Sequence, residues 1–561
     1  MREADGLNMK EKVVKPARRA FIAAGLLCLL VILGGLFPRE AFAHAILTGT
    51  DPAPNSTLAQ APEQIKLTFN EPLEEGVYYI RVLDQSGAKV TDNAAVMTKD
   101  RTGIVLQLPK LDDGLYVVSY HVISGDGHPV GGSYPLTVGK AAPAAGSGAT
   151  GGTGGTTAGH NHNLGSSGVD GLIQYAARGL WYAAMLALTG WLLWRRSKSG
   201  RGLPQEVSAR WTLNLQRFYL VALLFVILTH VEALLGDGGL SQLGSLLTGT
   251  GIGISWLVSL GLSLTGFVLL GRAAWLDYAW AVALLAVKAL SGHAVTFPPV
   301  LASVAADFIH LAAAAVWVGG LTAAAAVYRN RREEFTSFLG RFSGAALGSI
   351  VALTVSGVVL TLLFLPSLDM IIYTQWGILM LIKVGVVVLV VGTAAFLRYT
   401  MKNKRDKATA KLYKVDFSLM LIILAVVGVL TYLSPAPPNE PLNWHEMGKT
   451  VHMTAEVSPK APGTNTFKVT VWVLDTMGPP KHVQMNAQYE PKEEEEATLA
   501  PIQIPLELQE NQEENWLEGY NMYTYYTQGP YLPLPGKCTL EVRIMDSNDD
   551  EAVYKKEFRL Y

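Results

Sequence analysis

The chain has 561 residues, more than one hydrophobic core usually spans, so two or three domains are expected. Hydrophobic residues make up 50% of it and charged residues only 16%, well under the roughly 25% of soluble domains, which points to a membrane protein. A net charge of -1 leaves no electrostatic footprint for nucleic acid, and with only two cysteines the chain is no disulfide-dense scaffold.

In chain order, the first 43 residues read as a secretory signal. A basic stretch (Lys10, Lys12, Lys15, Arg18, Arg19) precedes an apolar run over 21–36 and the small-x-small site Ala41-Phe42-Ala43. A retained membrane anchor is the other reading of that run. Cleavage after Ala43 is expected; it removes Cys28, leaves Cys538 alone and makes His44 the first residue. From 44 to 139, short alternating runs (65–69, 77–83, 104–108, 115–123, 133–138) are separated by Pro, Gly, Asn and Asp, which predicts an all-β sandwich of Greek-key, immunoglobulin-like type. Residues 140–168 are almost entirely Ala, Gly, Ser and Thr around His160-Asn161-His162, the composition of a linker.

Between 169 and 434 the expectation is an eight-helix transmembrane bundle. Apolar stretches of bilayer-spanning length recur at 171–194, 217–235, 253–271, 273–291, 301–327, 343–364, 376–397 and 415–433. The third and fourth are divided only at Arg272. Charge supplies an independent test: loops 195–216, 272, 328–342 and 398–414 hold nearly all the Lys and Arg of this region, whereas 236–252, 292–300 and 365–375 hold none. The basic loops are therefore expected in the cytoplasm and both termini outside it, in a multi-pass protein of the cytoplasmic membrane. Residues 435–561 are polar again, with alternating runs, and predict a second small extracytoplasmic β-domain whose 493–496 Glu run is a solvated loop.

The front domain carries a distinctive donor set. A first-residue His offers its α-amine and its imidazole to one ion, and Asp126-Gly127-His128 in a Gly-rich loop adds a carboxylate and a second imidazole. Three nitrogens and one oxygen suit tetragonal copper(II) better than a tetrahedral thiolate-type site. Each residue alone has an ordinary reading, His44 as an accident of cleavage and Asp126 as a turn former. Together with Thr68-Phe69-Asn70-Glu71-Pro72 and Ser124-Gly125-Asp126-Gly127-His128-Pro129, however, His44 makes this stretch resemble the periplasmic copper-binding family CopC. That resemblance implies His44, Asp126 and His128 as copper(II) ligands. The Met-rich copper(I) site of some members is not expected here, because Met97 is the only methionine in the mature span of the domain. His121 reads as a sheet residue.

Ionisable residues within the apolar stretches are functional candidates by default. Ser291-Gly292-His293-Ala294, Asp307-Phe308-Ile309-His310 and Trp317-Val318-Gly319-Gly320 resemble the CopD copper-resistance membrane family over most of 169–433. His293, Asp307 and His310 are candidates for a copper path, at depths that also match Asp307 to Lys383 as an ion pair. His230 and Glu232 near the outer end of the second stretch are weaker candidates, readable as interfacial. Lys288 reads as snorkelling, and Gly319 and Gly320 as small residues for close packing. In the back domain His445, Met447, His452, Met453, His482 and Met485 have side chains suited to copper(I), although scattered surface His and Met are the commoner origin of such a pattern. The order of segments is similar to fusions of CopC with CopD. It implies copper capture outside and transport through the helices, not enzymatic turnover, with copper and the lipid bilayer as partners. Sequestration without transport and a copper-brace oxidase remain alternatives. No P-loop is present to suggest ATP drive.

Overall fold

The protein is described by a computed structural model covering residues 45, 47–52, 57–58, 60–69, 71–139, 169–196, 203–365, 368, 370–433, 435, 442–448, 451–460, 462–489, 500–509, 519–534 and 536–560. The signal-like segment, His44 and the 140–168 linker lie outside the described residues.

In the front domain, alternation of apolar and polar residues produces eight strands among the described residues: β1 (Leu47–Asp51), β2 (Thr57–Leu58), β3 (Gln64–Phe69), β4 (Tyr79–Leu83), β5 (Val96–Met97), β6 (Gly103–Gln107), β7 (Gly114–Ile123) and β8 (Pro129–Val138). They form two four-stranded sheets, ordered β1-β3-β6-β5 and β2-β8-β7-β4. Ile65, Leu67, Ile104, Leu106, Val118, Val122 and Leu136 fill the space between the sheets and are fully buried.

The helical region contains eight long helices among the described residues: α1 (Val169–Arg196), α2 (Gln205–Leu235), α3 (Gly251–Leu269), α4 (Ala274–Ala289), α5 (Val300–Asn330), α6 (Phe335–Phe364), α7 (Gln375–Lys402) and α8 (Asp406–Leu430). Threonine caps start two of them: the Thr250 hydroxyl accepts from Gly253 N–H (3.0 Å) at α3, and that of Thr374 from Gly377 N–H (2.9 Å) at α7. Six helices are long and apolar enough to cross a membrane, and α1 and α4 are the exceptions. The 16 residues of α4 rise roughly 24 Å, short of a hydrocarbon core of about 30 Å. α1 is long enough, but Gln174, Tyr175 and Arg178 interrupt its apolarity. It is the central helix, packed by α2, α4, α5 and α8, so many of its side chains meet protein instead of lipid.

One expectation is met and another corrected. The expected division at Arg272 is a tight turn between Leu269 and Ala274, with Gly271 at φ 92°. The buried Asp277 carboxylate secures it by accepting from Gly271 N–H (2.8 Å) and from Arg196 Nε–H (2.7 Å). The basic loops are also shorter than hydropathy implies, because α2, α6, α7 and α8 continue beyond their apolar windows. Helix propensity persists in stretches such as 405–414 after apolarity ends.

Successive helices alternate in direction. One face gathers the start of α1, the end of α2 and the end of α8 around Arg178, His230 and Thr431, and the start of α5 and end of α6 at the Phe297–Phe364 stack. The opposite face carries Arg196–Asp277, Thr336–Asp406 and Arg398–Ser343.

The back domain is a second sandwich, with β9 (Leu442–Met447), β10 (Val451–Ser458), β11 (Gly463–Leu474), β12 (His482–Tyr489), β13 (Ile502–Ile504), β14 (Glu507–Leu508), β15 (Tyr520–Leu532), β16 (Gly536–Met545) and β17 (Glu551–Leu560). Its sheets are ordered β14-β15-β11-β10-β9 and β13-β12-β16-β17. Met453, Met485 and Cys538 are fully buried between them, which removes both methionines from the accessible donors expected in this domain. β1 of the front domain packs against β11.

Candidate metal centre at the domain seam

The front domain sits on the helical region through a continuous seam. Val77 and Ile123 share an apolar cluster with Leu234, Leu235, Leu246 and Trp256. Both Glu74 carboxylate oxygens accept from Gly251 N–H (3.2 Å each) at the positive N-terminal end of α3. Burial raises the Glu74 pKa above its ordinary value, against the lowering effect of the Gly251 bond. His121, expected as a sheet residue, lies on β7 with its Nε2–H donating to Leu234 O at the end of α2 (3.1 Å).

The β7–β8 hairpin builds the site. Its turn is closed by Ser124 N–H to His128 O (2.9 Å) and Gly127 N–H to Ser124 O (2.8 Å). Gly127 adopts φ 86° with Ile252 packed against it, so a side chain there meets both backbone strain and a neighbour. This turn aims the Asp126 carboxylate and His128 imidazole toward the seam, where both are buried, at 3% and 7% exposure. From the other side, Gly292 at φ 82° opens the turn that presents His293. His293 Nδ1 stands 3.0 Å from Asp126 Oδ2, and its ring stacks on His128 at 5.4 Å between centroids. One donor atom each from Asp126, His128 and His293 lies within 4.8 Å of the others, close enough to share one metal ion.

Around this triad the chemistry favours a cation. The Ser124 hydroxyl reaches Asp126 Oδ1 (2.7 Å) and also Glu71, both buried carboxylates, and its single proton serves only one at a time. Ala45 N–H, one residue after His44, donates to the same hydroxyl (3.3 Å). Below, the Tyr432 ring stands edge-on to His128 at 5.7 Å and to His230 at 5.9 Å, with the Arg178 guanidinium 5.0 Å from its centroid. Arg178 Nε–H donates to His230 Nε2 (3.0 Å), and Nδ1 of the same ring lies 2.9 Å from Val226 O. His230 is thus a neutral imidazole with both nitrogens engaged, holding Arg178 in place. Glu232 is exposed and apart from this network.

Deeper, His310 Nδ1 meets Ser356 Oγ (2.9 Å), whose hydroxyl donates to Ala352 O (2.6 Å). That chain assigns the proton to Nδ1 and the lone pair to Nε2. Asp307 lies within electrostatic reach of Lys288 as well as Lys383, and Lys288 Nζ also donates to Ser291 O (3.2 Å). The expected one-to-one pairing with Lys383 is therefore a three-charge group, because α4 brings a second ammonium to the carboxylate. Beside His293 stands an aromatic pair: His293 meets the Phe364 ring at 6.3 Å, and Phe364 stacks on the fully buried Phe297 at 4.6 Å.

The sequence reading singled out Asp126, His128 and His293 but placed them in two separate sites. It passed over Arg178 and Tyr432, and quoted Glu71 only within a motif. Arg178 was detectable as an ionisable residue inside an apolar stretch; Tyr432 carries no such signal.

An imidazole and carboxylate centre shared between a β-sandwich and a multi-pass helical domain defines a class of metal-handling membrane protein, and known families say which. Residues 47–139 match the CopC domain and residues 336–431 match copper resistance protein D. The chain belongs to the CopC–CopD family of copper transport and resistance proteins. It is similar to copper transport protein CutJ of Bacillus subtilis (strain 168), with 30% identity over 490 residues, 82% of this chain and 86% of that protein. Its front part is similar to protein YobA of Escherichia coli (strain K12), 33% identical over 120 residues, 20% of this chain and 90% of that protein. Among solved structures it resembles CopC from Methylosinus trichosporium OB3b, at 33% identity and TM-score 0.16, covering 17% of this chain and 93% of that one.

Proposed function

We propose that the protein captures copper(II) outside the cell through His44, Asp126 and His128 and passes it to the membrane domain through His293. Copper is the cargo. The observation that carries this reading is the convergence of Asp126 and His128 from one domain with His293 from the other. The anchoring of Ala45 on Ser124, itself bonded to Asp126, supports a place for His44 in the same centre. Exchange of His44 for His293 starts the transfer, because the ion gains a ligand from the helical region while Asp126 and His128 still hold it.

In this reading all eight helices cross the membrane, with α1 and α4 shielded by their neighbours. Both β-domains then lie on the extracytoplasmic side. The alternating helix directions and the β1–β11 contact support that arrangement, since the two domains meet at one face. Asp307 and His310 continue the path inward.

The test is whole-cell copper accumulation by His293→Ala. The expected result is a rate reduced to that of a membrane-domain deletion, with copper(II) binding at the front domain retained. Accumulation at the parental rate overturns the transfer step. Sequestration without transport is the second reading, favoured by the apolar Phe297–Phe364 pair packed against His293. In that case neither the parent nor the variant accumulates copper inside.

A further inference from the structure

A second cluster of metal-binding side chains lies on the back domain, outside the seam centre. In β10 the residues Val451, Met453, Ala455 and Val457 face the core, so His452 and Thr454 occupy the outer face of the sheet. In β9 the same alternation turns Trp444 inward and His445 and Met447 outward. Register then assembles the group: His452 stands directly opposite Met447 on one side and Trp472 on the other, while His445 stands opposite Thr454. Directly opposed residues on one face have Cβ atoms about 4.5–5.5 Å apart, and diagonal neighbours about 7–8 Å, distances that imidazole and thioether side chains bridge.

The state of each donor points the same way. His445 Nδ1 is held by the Thr454 hydroxyl (2.8 Å), which orients its ring against Trp472 at 6.1 Å and leaves Nε2 for a ligand. His452 is only 8% exposed, yet its Nδ1 makes no hydrogen bond among the described residues, a cost normally avoided for a buried polar atom. Met447 is 75% exposed at the edge strand. It is not part of the sandwich core.

We propose that His445 Nε2, Met447 Sδ and His452 Nδ1 form a copper(I) site on the outer face of the β9–β10 edge, flanked by the Trp472 ring. Two imidazoles and one thioether, without a carboxylate, favour the soft monovalent ion over copper(II) or zinc. The seam centre, with a carboxylate among its donors, has the opposite preference, so the chain carries two sites divided by oxidation state. This assignment does not depend on the transport reading.

The experiment titrates the full-length chain, carrying Asp126→Ala and His128→Ala to disable the seam centre, with copper(I) under ascorbate against a chromogenic copper(I) chelator. One bound equivalent is expected, with a sulfur contribution in its X-ray absorption spectrum. Met447→Leu, an exposed exchange that leaves the sheet core untouched, is expected to weaken binding about tenfold or more and to abolish the sulfur contribution; the tenfold change corresponds to about 1.4 kcal/mol. His445→Gln provides a second surface variant with the same expected direction. Undiminished copper(I) binding in both variants, or a sulfur-free spectrum in the parent, overturns the site.

Discussion

Gly190 and Gly319 show how much of the bundle depends on single atoms. α1 and α5 cross where these glycines meet: a Cβ at Gly190 overlaps the Ala315 carbonyl, and one at Gly319 overlaps Gly190 itself. In a membrane no hydrophobic force between helices offsets such a clash, since lipid is as apolar as a side chain, and close packing supplies the association. Gly319→Val is therefore expected to lower membrane abundance severalfold in a quantitative immunoblot, and Gly244→Ala, with open space around it, to leave abundance unchanged. In the proposed copper(II) centre, a first-residue His44 is expected to govern a different property. A first-residue amine must be deprotonated to ligate, and its unperturbed pKa is about 7.7–8.0. Copper(II) binding should strengthen as pH rises toward that value, with proton release, and one residue added before His44 should abolish the gain. Titrations of the front domain's copper(II) affinity at several pH values check both.

The elements position these residues by meeting at their ends. A hairpin turn from β7–β8 and a short turn after α4 bring Asp126, His128 and His293 together, although 165 residues separate His128 from His293. Neither turn has a ligand set alone. Beside them, the end of α6 and the turn before α5 contribute Phe364 and Phe297, whose stacked rings lie against His293. Water and ions pass apolar surfaces poorly, so this aromatic pair beside His293 is expected to slow passage of the ion. Phe364→Ala should raise the initial rate of copper accumulation while leaving front-domain affinity unchanged. A lower rate at parental abundance would assign Phe364 to positioning His293.

At the scale of the molecule, two β-sandwiches and an antiparallel bundle meet on one face. The sandwiches contact each other through β1 and β11, and the front domain covers the ends of α2, α3 and α4. Since Lys and Arg of the loops collect at the opposite face, the positive-inside rule predicts that this opposite face is cytoplasmic. A reporter fused after Tyr561 should be active only in its extracytoplasmic form. Activity in the cytoplasm would mean an odd number of crossings, with the short α4 the first helix to doubt.

The sequence by itself determined what local patterning encodes. Strand alternation marked the front sandwich, apolar runs marked eight helices, charge marked the two faces, and the Asp126-Gly127-His128 loop and His293 stood out by their chemistry. What no local pattern contains is the approach of remote segments. Asp126, His128 and His293 became one centre, Lys288 joined Asp307, His230 was occupied by Arg178, and His452 came to face Met447, only when packing and register brought separate elements together. Helix length was misread for a related reason: hydropathy senses the bilayer, whereas the helix ends where backbone hydrogen bonding does. Tertiary structure alone decided that α1, the least lipid-like of the long helices, lies at the centre, because a side chain surrounded by protein is freed from the demands of hydrocarbon.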